Sequence, residues 1–332
     1  MTLEQWAAVW FPIAQMRTLH PREQNRTNLG SAIVRGDLAG ARYATGIQLF
    51  QHAKRQISLS GNIVSVQRIL SGYAAMEFEL KSYTHRPGMI SITDLSQEFR
   101  GSHHNAVGEA VFIPRELLGL RQEGPIEPIM IAEDSLHGAK LMSDLERFFE
   151  PSEPSRRQFG REVEPLLHLL STVIGEHRHP TSERVGWWRA RNNLIRKYIE
   201  TNLGDPALLP AHICNMFNLS RATLYRMFEV DGGVRRYIQD RRLYAAIWDL
   251  ADRGVRRGRL TEVAEKWGFS SNANFNRAVK AAFDMPPGAL FSPQALIIPA
   301  RESDRPDAFP LSGWFERSQG VGLSVDWRGQ RL

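Results

Sequence analysis

One cysteine, Cys214, stands in 332 residues. No disulfide can form within the chain, which suits a reducing compartment. No run of 18 apolar residues occurs, so no segment reads as a membrane span. The opening MTLEQWAAVWFPIAQM has no basic start and carries Glu4 early, unlike a signal peptide. The expected location is therefore cytoplasmic. A glycine-rich phosphate loop and a GxSxG nucleophile motif are both missing, which leaves no signature of nucleotide hydrolysis or acyl transfer. Histidines are few and scattered: His103 and His104 are adjacent, and His177 and His179 fall in a polar stretch. No metal, no cofactor and no catalytic residue is expected from them. Cys214 suits a helix core.

Apolar residues make up 42% of the chain, enough for a sizeable core, and the length allows two or three domains. Net charge is +6, and it is unevenly placed. Trp187 to Ser292 holds 17 Lys and Arg against 10 Asp and Glu, while the remainder holds 25 against 26. The whole basic excess sits in one block of about a hundred residues. A basic block beside a neutral partner suggests that one domain meets a polyanion.

Residues 1 to about 130 read mostly as strands. NIVSVQRIL places β-branched Ile63, Val64 and Val66 close together, and AMEFEL alternates Met76, Phe78 and Leu80 with Glu77 and Glu79. Short alternating runs between turns predict an antiparallel sheet or barrel. Pro87-Gly88 predicts a turn feeding a strand, and VFIPRELL a strand that stops at Pro114 and turns into a helix. From Ser135 the spacing changes. LHGAKLMSDLERFFE and FGREVEPLLHLLSTVIGEH have apolar residues three and four apart, a helical signature, with PSEPSRR as the loop between. The second stripe fits either packing on the sheet or a dimer contact. HRHPTSERVG (177–186) is polar and contains Pro180, and is expected to be the interdomain linker. The stretch after Ser292 has isolated aromatics, Trp314, Phe315 and Trp327, without sustained periodicity.

Two segments of the basic block match each other. ICNMFNLSRATLYRMF begins at Ile213 and VAEKWGFSSNANFNRAV at Val263. Each carries a small residue (Cys214, Ala264), an aromatic (Phe217, Trp267), then Asn218 or Gly268, an apolar residue (Leu219, Phe269) and a serine (Ser220, Ser270). A small residue lets two helices cross closely. Asn or Gly can take positive φ and close the first helix. The serine can cap the next helix. The pattern predicts a helix-turn-helix unit, twice. RRYIQDRRLYAAIWDLADRG lies between the units, with Tyr237, Ile238, Leu243, Ala246, Ile247 and Leu250 as a helical stripe. It is expected to be a helix joining two reading heads.

In such a unit the second helix enters the major groove, led by its amino-terminal residues. Asn suits adenine and Arg suits guanine. The outward positions of the first unit are Arg221, Ala222, Tyr225 and Arg226, with Thr223 beside them; Leu224 and Phe228 point inward. Those of the second are Asn272, Ala273, Asn274, Asn276 and Arg277, with Phe275 and Val279 inward. These ten residues are the candidate DNA contacts. A plain solvated helix face is the alternative.

At this point the residues match a known family. Trp187 to Ser292 strongly resembles the DNA-binding domain of AraC/XylS-type transcriptional regulators, carried by SRATLYRMF, RRLYAA and VAEKWGFSSNANFNRAVKAAFDMPP. Gly268, Phe269, Arg277, Lys280, Phe283 and Pro287 occupy the family's positions in the second unit. Val279 replaces the usual aromatic and Asn218 the more usual glycine, while Cys214 and Phe217 are unusual in the first unit. The amino-terminal part resembles, more weakly, the cupin-like sensor domain of one branch of this family, through RILSGYAAMEFELKSYTHRPGMISITD and VFIPRELL.

The resemblance implies an α+β protein. An antiparallel cupin-like β-barrel followed by helices (1–180) precedes an all-α domain with two helix-turn-helix units (187–292) and an extension (293–332). It implies a sequence-specific regulator, an activator, with double-stranded promoter DNA and RNA polymerase as partners. A small-molecule effector and a homodimer stand open as further partners. Arg68, Tyr73 and His85 are the polar residues considered for an effector pocket. Two other readings remain: a cupin-like barrel enzyme with a nucleic-acid-binding appendage, and an interaction module whose helices bind protein.

Overall fold

The computed structural model describes residues 3–18, 28–79, 81–120, 123–150, 156–178, 183–253, 258–290, 311, 314 and 315. Helix α1 (Leu3–Trp10) precedes β1 (Gln15–Thr18), β2 (Asn28–Arg35), β3 (Leu38–Ala44) and β4 (Gln48–His52). Helix α2 (Lys54–Ser60) then leads to β5 (Ile63–Phe78), β6 (Lys81–His85), β7 (Met89–Asp94), β8 (Phe99–Pro114) and β9 (Ile129–Ala132). Every pairing among these strands is antiparallel.

The two long strands, β5 and β8, run side by side and organise the rest. The far edge of β8 takes β4 along one half and β3 along the other. The far edge of β5 takes β7 near its start and β6 near its end. Register breaks midway, between Ile69 and Tyr73, where Gly72 has φ 71 and Asn105 on the facing strand φ 47. A Cβ on Gly72 would lie 2.2 Å from the Asn105 carbonyl oxygen, so this bend requires glycine. Each long strand thereby passes from one wall of the sheet to the other. Tyr43, Phe50, Met76, Phe78, Phe99 and Phe112 come from both walls and meet in one cluster with Trp6 and Trp10 of α1.

NIVSVQRIL and AMEFEL, expected as separate strands, are one strand, because the bulges let the chain turn without leaving the ladder. Leu80 lies outside the described residues. Strand β8 ends at Pro114 as expected and passes into a single 3-10 turn, Arg115–Leu118. The Arg115 guanidinium meets the Asp94 carboxylate there, and Asp94 also accepts from Ile126 N at 2.9 Å.

Helix α3 (Leu136–Phe148) starts at Ser135, whose hydroxyl accepts from Gly138 N at 3.1 Å. Helix α4 is Arg156–Arg178. Its stripe Leu166, Leu169, Leu170, Val173 and Ile174 is buried with Val64, Val66, Ile90, Ile92, Val111 and Ile113 on the outer face of one wall. The dimer reading of that stripe is thus corrected: the sheet of the same chain already covers it. The expected linker 177–186 is also shorter than its composition suggests. Helix α4 continues through Arg178 and α5 (Glu183–Thr201) begins at Glu183; residues 179–182 lie outside the described set.

The residues considered for an effector pocket are tied up in structure. Arg68 pairs with Glu109 at 2.6 Å on the buried side of the sheet. His85 bonds the Met89 carbonyl through Nε2 at 2.9 Å and the Ser91 hydroxyl through Nδ1 at 3.2 Å. Tyr73 stacks on His104 with centroids 4.2 Å apart.

Candidate nucleic-acid interface

The carboxyl-terminal helices are α5, α6 (Pro210–Met216), α7 (Arg221–Met227), α8 (Val234–Arg253), α9 (Arg259–Lys266), α10 (Asn272–Phe283) and α11 (Pro287–Leu290). Helices α6 and α7 make the first helix-turn-helix unit, α9 and α10 the second. The two turns use the same hydrogen bonds fifty residues apart. Leu219 N donates to Cys214 O and Phe269 N to Ala264 O, each at 2.9 Å. Asn218 has φ 47 and Gly268 φ 70, the left-handed closure their residue types allow. Cys214 and Ala264 are buried at the helix crossings.

Each recognition helix is capped by a serine, but the second serine is not the expected one. Ser220 caps α7, accepting from Thr223 N at 3.1 Å. Helix α10 is capped by Ser271, which accepts from Asn274 N at 3.2 Å; Ser270 instead bonds the Asn274 side chain. The extra residue between turn and helix shifts the cap by one. Ser271→Ala is expected to lower stability by about 0.5–2 kcal/mol, and Ser270→Ala by less. Urea melts of the two variants compare them directly.

The connecting helix α8 serves both units. Tyr237 and Ile238 belong to the core of the first, with Ile195, Ile199, Ile213, Leu224, Met227 and Phe228. Leu243, Ala246, Ile247 and Leu250 belong to the core of the second, with Val263, Phe275, Val279 and Phe283. Asp249 fastens α8 to α9, receiving Arg259 at 2.6 Å, Lys266 at 2.5 Å and the Trp267 indole N–H at 3.3 Å. Burial raises the Asp249 carboxyl, yet these donors outweigh it and hold it below the usual carboxylate range.

The remaining face of α8 meets the sheet. Arg241 reaches Glu77 of β5 at 2.8 Å and Glu200 of α5 at 2.7 Å. Arg100 of β8 makes a two-pronged pair with Glu77 at 3.0 and 3.1 Å and lies 5.2 Å over the Trp248 ring. Tyr244 bonds His104 Nε2 at 3.0 Å, and His104 Nδ1 lies 2.9 Å from the Ala282 carbonyl near the end of α10. Ile47, Leu49 and Ala75 share the apolar core of the second unit. Glu77, expected on the outer, polar face of its strand, is thus enclosed by arginines.

The candidate contacts lie away from this seam. Arg221, Ala222, Tyr225 and Arg226 are exposed, with Thr223 half-buried. Asn272, Ala273, Asn276 and Arg277 are exposed and Asn274 is half-buried. Leu224, Phe228, Phe275 and Val279 point inward as expected. Two of the three asparagines have local work. Asn272 donates to Thr261 Oγ1 of α9 at 2.7 Å, and Asn274 bridges Ser270 and the Arg277 guanidinium. Asn274 therefore holds the Arg277 side chain, a contact that helical spacing alone does not reveal. Arg226 rests over the Trp188 ring of α5 at 5.2 Å.

Two arginines were missed by sequence reasoning. Arg191 donates to the Phe217 carbonyl at 2.5 Å and reaches that of Asn218 at 3.4 Å. Arg242 donates to Leu203 O at 2.8 Å and Asp205 O at 2.6 Å, and reaches Gly268 O at 3.3 Å. One cation thus clasps each turn. Nothing in the local pattern separates these arginines from those free to meet phosphate.

No group of three or more His, Cys, Asp or Glu that could hold a metal occurs among the described residues. No helix of the described residues is long and apolar enough to cross a membrane. Several solved structures are similar to this chain. The AraC-like transcriptional activator CuxR is 22% identical over 73% of this chain and 89% of its own, with a TM-score of 0.44. ToxT from Vibrio cholerae O395 is 15% identical over 78% and 100%, with a TM-score of 0.30. Wild-type ToxT from Vibrio cholerae strain SCE256, with unsaturated fatty acid bound, is 14% identical over 81% and 98%, again with a TM-score of 0.30. Residues 213–292, which span both units, match the family model described as a helix-turn-helix domain. This stretch of the chain is a helix-turn-helix domain.

Proposed function

We propose that this chain is a sequence-specific regulator, an activator, that grips promoter DNA with α7 and α10 and answers to a small molecule held by its amino-terminal domain. In this reading residues 1–180 sense, 187–292 bind DNA and 293–332 extend beyond them. The two heads meet successive major-groove faces about 34 Å apart. Lys and Arg neutralise phosphates and make affinity fall with salt. The mechanism is not catalytic.

One observation carries the reading: with the sheet seated on α8, the leading faces of both recognition helices still lie open, with Arg221 and Arg226 on one and Asn276 and Arg277 on the other. Activation and effector control follow the AraC/XylS resemblance, as does contact with RNA polymerase.

Arg277→Ala is the test. It is expected to weaken binding to the cognate site by roughly 1–3 kcal/mol and to relax specificity at one base. Titrating cognate and scrambled duplexes with each protein checks it; equal losses on both would rule out base readout by this side chain.

A further inference from the structure

Both helix-turn-helix units present an arginine at the same place. Counted from the capping serine, Arg226 stands six positions past Ser220 and Arg277 six past Ser271. Both side chains are exposed, yet neither is loose. In the second unit the Arg277 guanidinium donates through one terminal nitrogen to Asn274 Oδ1, and the Asn274 amide donates in turn to Ser270 Oγ. The backbone N–H of Asn274 is fixed by the Ser271 cap at 3.2 Å. The contacts therefore run from the turn of the unit to the guanidinium. They engage one of its nitrogens and leave other donors of its planar fork for a base.

In the first unit the brace is a ring. Arg226 lies 5.2 Å over Trp188 of α5, within reach of cation–π attraction. Trp188 is half-buried and packs against the core of that unit. One turn further along α5, Asn192 donates to the Met227 carbonyl at 3.2 Å, which fastens α5 to the end of α7 beside Arg226. Thr223 holds the place that Asn274 has in the second unit, but its hydroxyl accepts from Ser220 Oγ at 2.9 Å, and the brace comes from another helix instead. An unbraced arginine has rotamer freedom that binding must remove. It can also swing to the nearest phosphate, where it adds affinity for any sequence.

We propose that Asn274 and Trp188 are positioning residues that set the base preference of the two reading heads without touching a base. Each holds its arginine so that the guanidinium meets a guanine edge rather than a phosphate, and each half-site therefore carries a guanine. Guanine is the base named because its O6 and N7 are adjacent acceptors that match the guanidinium fork. Asn272 and Asn274 have their amides engaged within the protein, which leaves Asn276, exposed and five positions past Ser271, as the asparagine of α10 that reads adenine. The inference rests on base reading by α7 and α10, and its test separates the two.

Full-length wild type, Arg277→Ala, Asn274→Ala, Trp188→Leu and Trp188→Phe each select from a randomised duplex library long enough for two half-sites one helical turn apart. Their affinities are then measured on the wild-type consensus, on its single-base variants and on a scrambled duplex. Wild type is expected to select a guanine in each half-site, and Arg277→Ala to lose one of them. Asn274→Ala is expected to weaken the preference at that same base by roughly three- to tenfold, while its affinity for the scrambled duplex stays level or rises. A residue that only stabilised α10 would lower both affinities alike. Trp188→Leu is expected to weaken the guanine preference in the other half-site, and Trp188→Phe, which keeps a ring, to restore part of it. Asn274→Ala, on the helix surface, carries the test if Trp188→Leu does not fold. An unchanged guanine preference in Asn274→Ala or in folded Trp188→Leu would overturn the proposal while leaving base reading intact. So would loss, in Asn274→Ala, of a different base from the one lost in Arg277→Ala. A wild-type protein that selects no motif would overturn both.

Discussion

Arg241→Ala is expected to lower the unfolding free energy by about 3–5 kcal/mol. Arg241 is 3% exposed and sits between two carboxylates, Glu200 at 2.7 and 2.9 Å and Glu77 at 2.8 Å. Removing it leaves Glu200 with the Tyr237 hydroxyl at 2.9 Å as its remaining named donor. A buried carboxylate without its cation is the costly outcome, more than loss of the ion pair itself. Burial pushes the Glu77 carboxyl up, yet Arg241 and Arg100 pull it below its ordinary range. The same side chain joins β5, α5 and α8, so its loss also loosens the sheet from the DNA-binding helices. Urea unfolding followed by circular dichroism reads the change. A loss below about 1 kcal/mol would place Arg241 among exposed pairs and contradict the seam described here. Combining Arg241→Met with Glu200→Met should recover part of the loss, since an apolar pair leaves no orphaned charge.

Stability is expected to fall steeply as pH drops from 6.5 towards 4. Burial holds His85 and His104 at about 4 and His103 at about 3, against 6.5 for a free side chain. Across that interval the unfolded chain binds protons that the folded chain refuses, so stability rises with pH. The contribution of these histidines is complete above 6.5 and is lost as pH falls through the interval. Each adds a slope of about 1.4 kcal/mol per pH unit, so three act strongly together. Below the unfolded carboxylate range, protonation of Glu77 removes stability in the same direction, because its folded value is depressed. His104 lies on the seam, between Ser102, Tyr244 and the Ala282 carbonyl, so its protonation strikes the contact between sheet and second unit. Urea midpoints measured at intervals from pH 7.5 to 4.5 check the slope. A flat profile between 6.5 and 5 would show that these rings are solvated.

The helix-turn-helix pair was legible because its determinants are local. A small residue, a residue able to take positive φ and a serine each act within a few positions, and Asn218, Gly268 and Ser220 do what their chemistry allows. The cap at Ser271 escaped because two serines adjoin and only geometry separates them. Alternation marked the strands but not their continuity. The bend at Gly72 looks like a turn in one dimension and is a bulge in three. The role of Glu77 was invisible, since a glutamate alternating with buried residues normally faces water. Its partners, Arg100 and Arg241, lie 23 and 164 positions away in the sequence. The α4 stripe illustrates the converse: periodicity shows that a helix face is covered, not what covers it. Leu311, Trp314 and Phe315 carry too short a pattern to announce their burial against the sheet.

In the proposed function, two reading heads on one chain recognise one bipartite sequence. Purified full-length protein, incubated with sheared genomic fragments at near-physiological salt, tests it most directly when the retained fragments are sequenced, with and without cell extract as a source of effector. Enrichment of a few intergenic fragments sharing two half-sites about one helical turn apart is expected. Uniform retention of all fragments, or none in either condition, would contradict it.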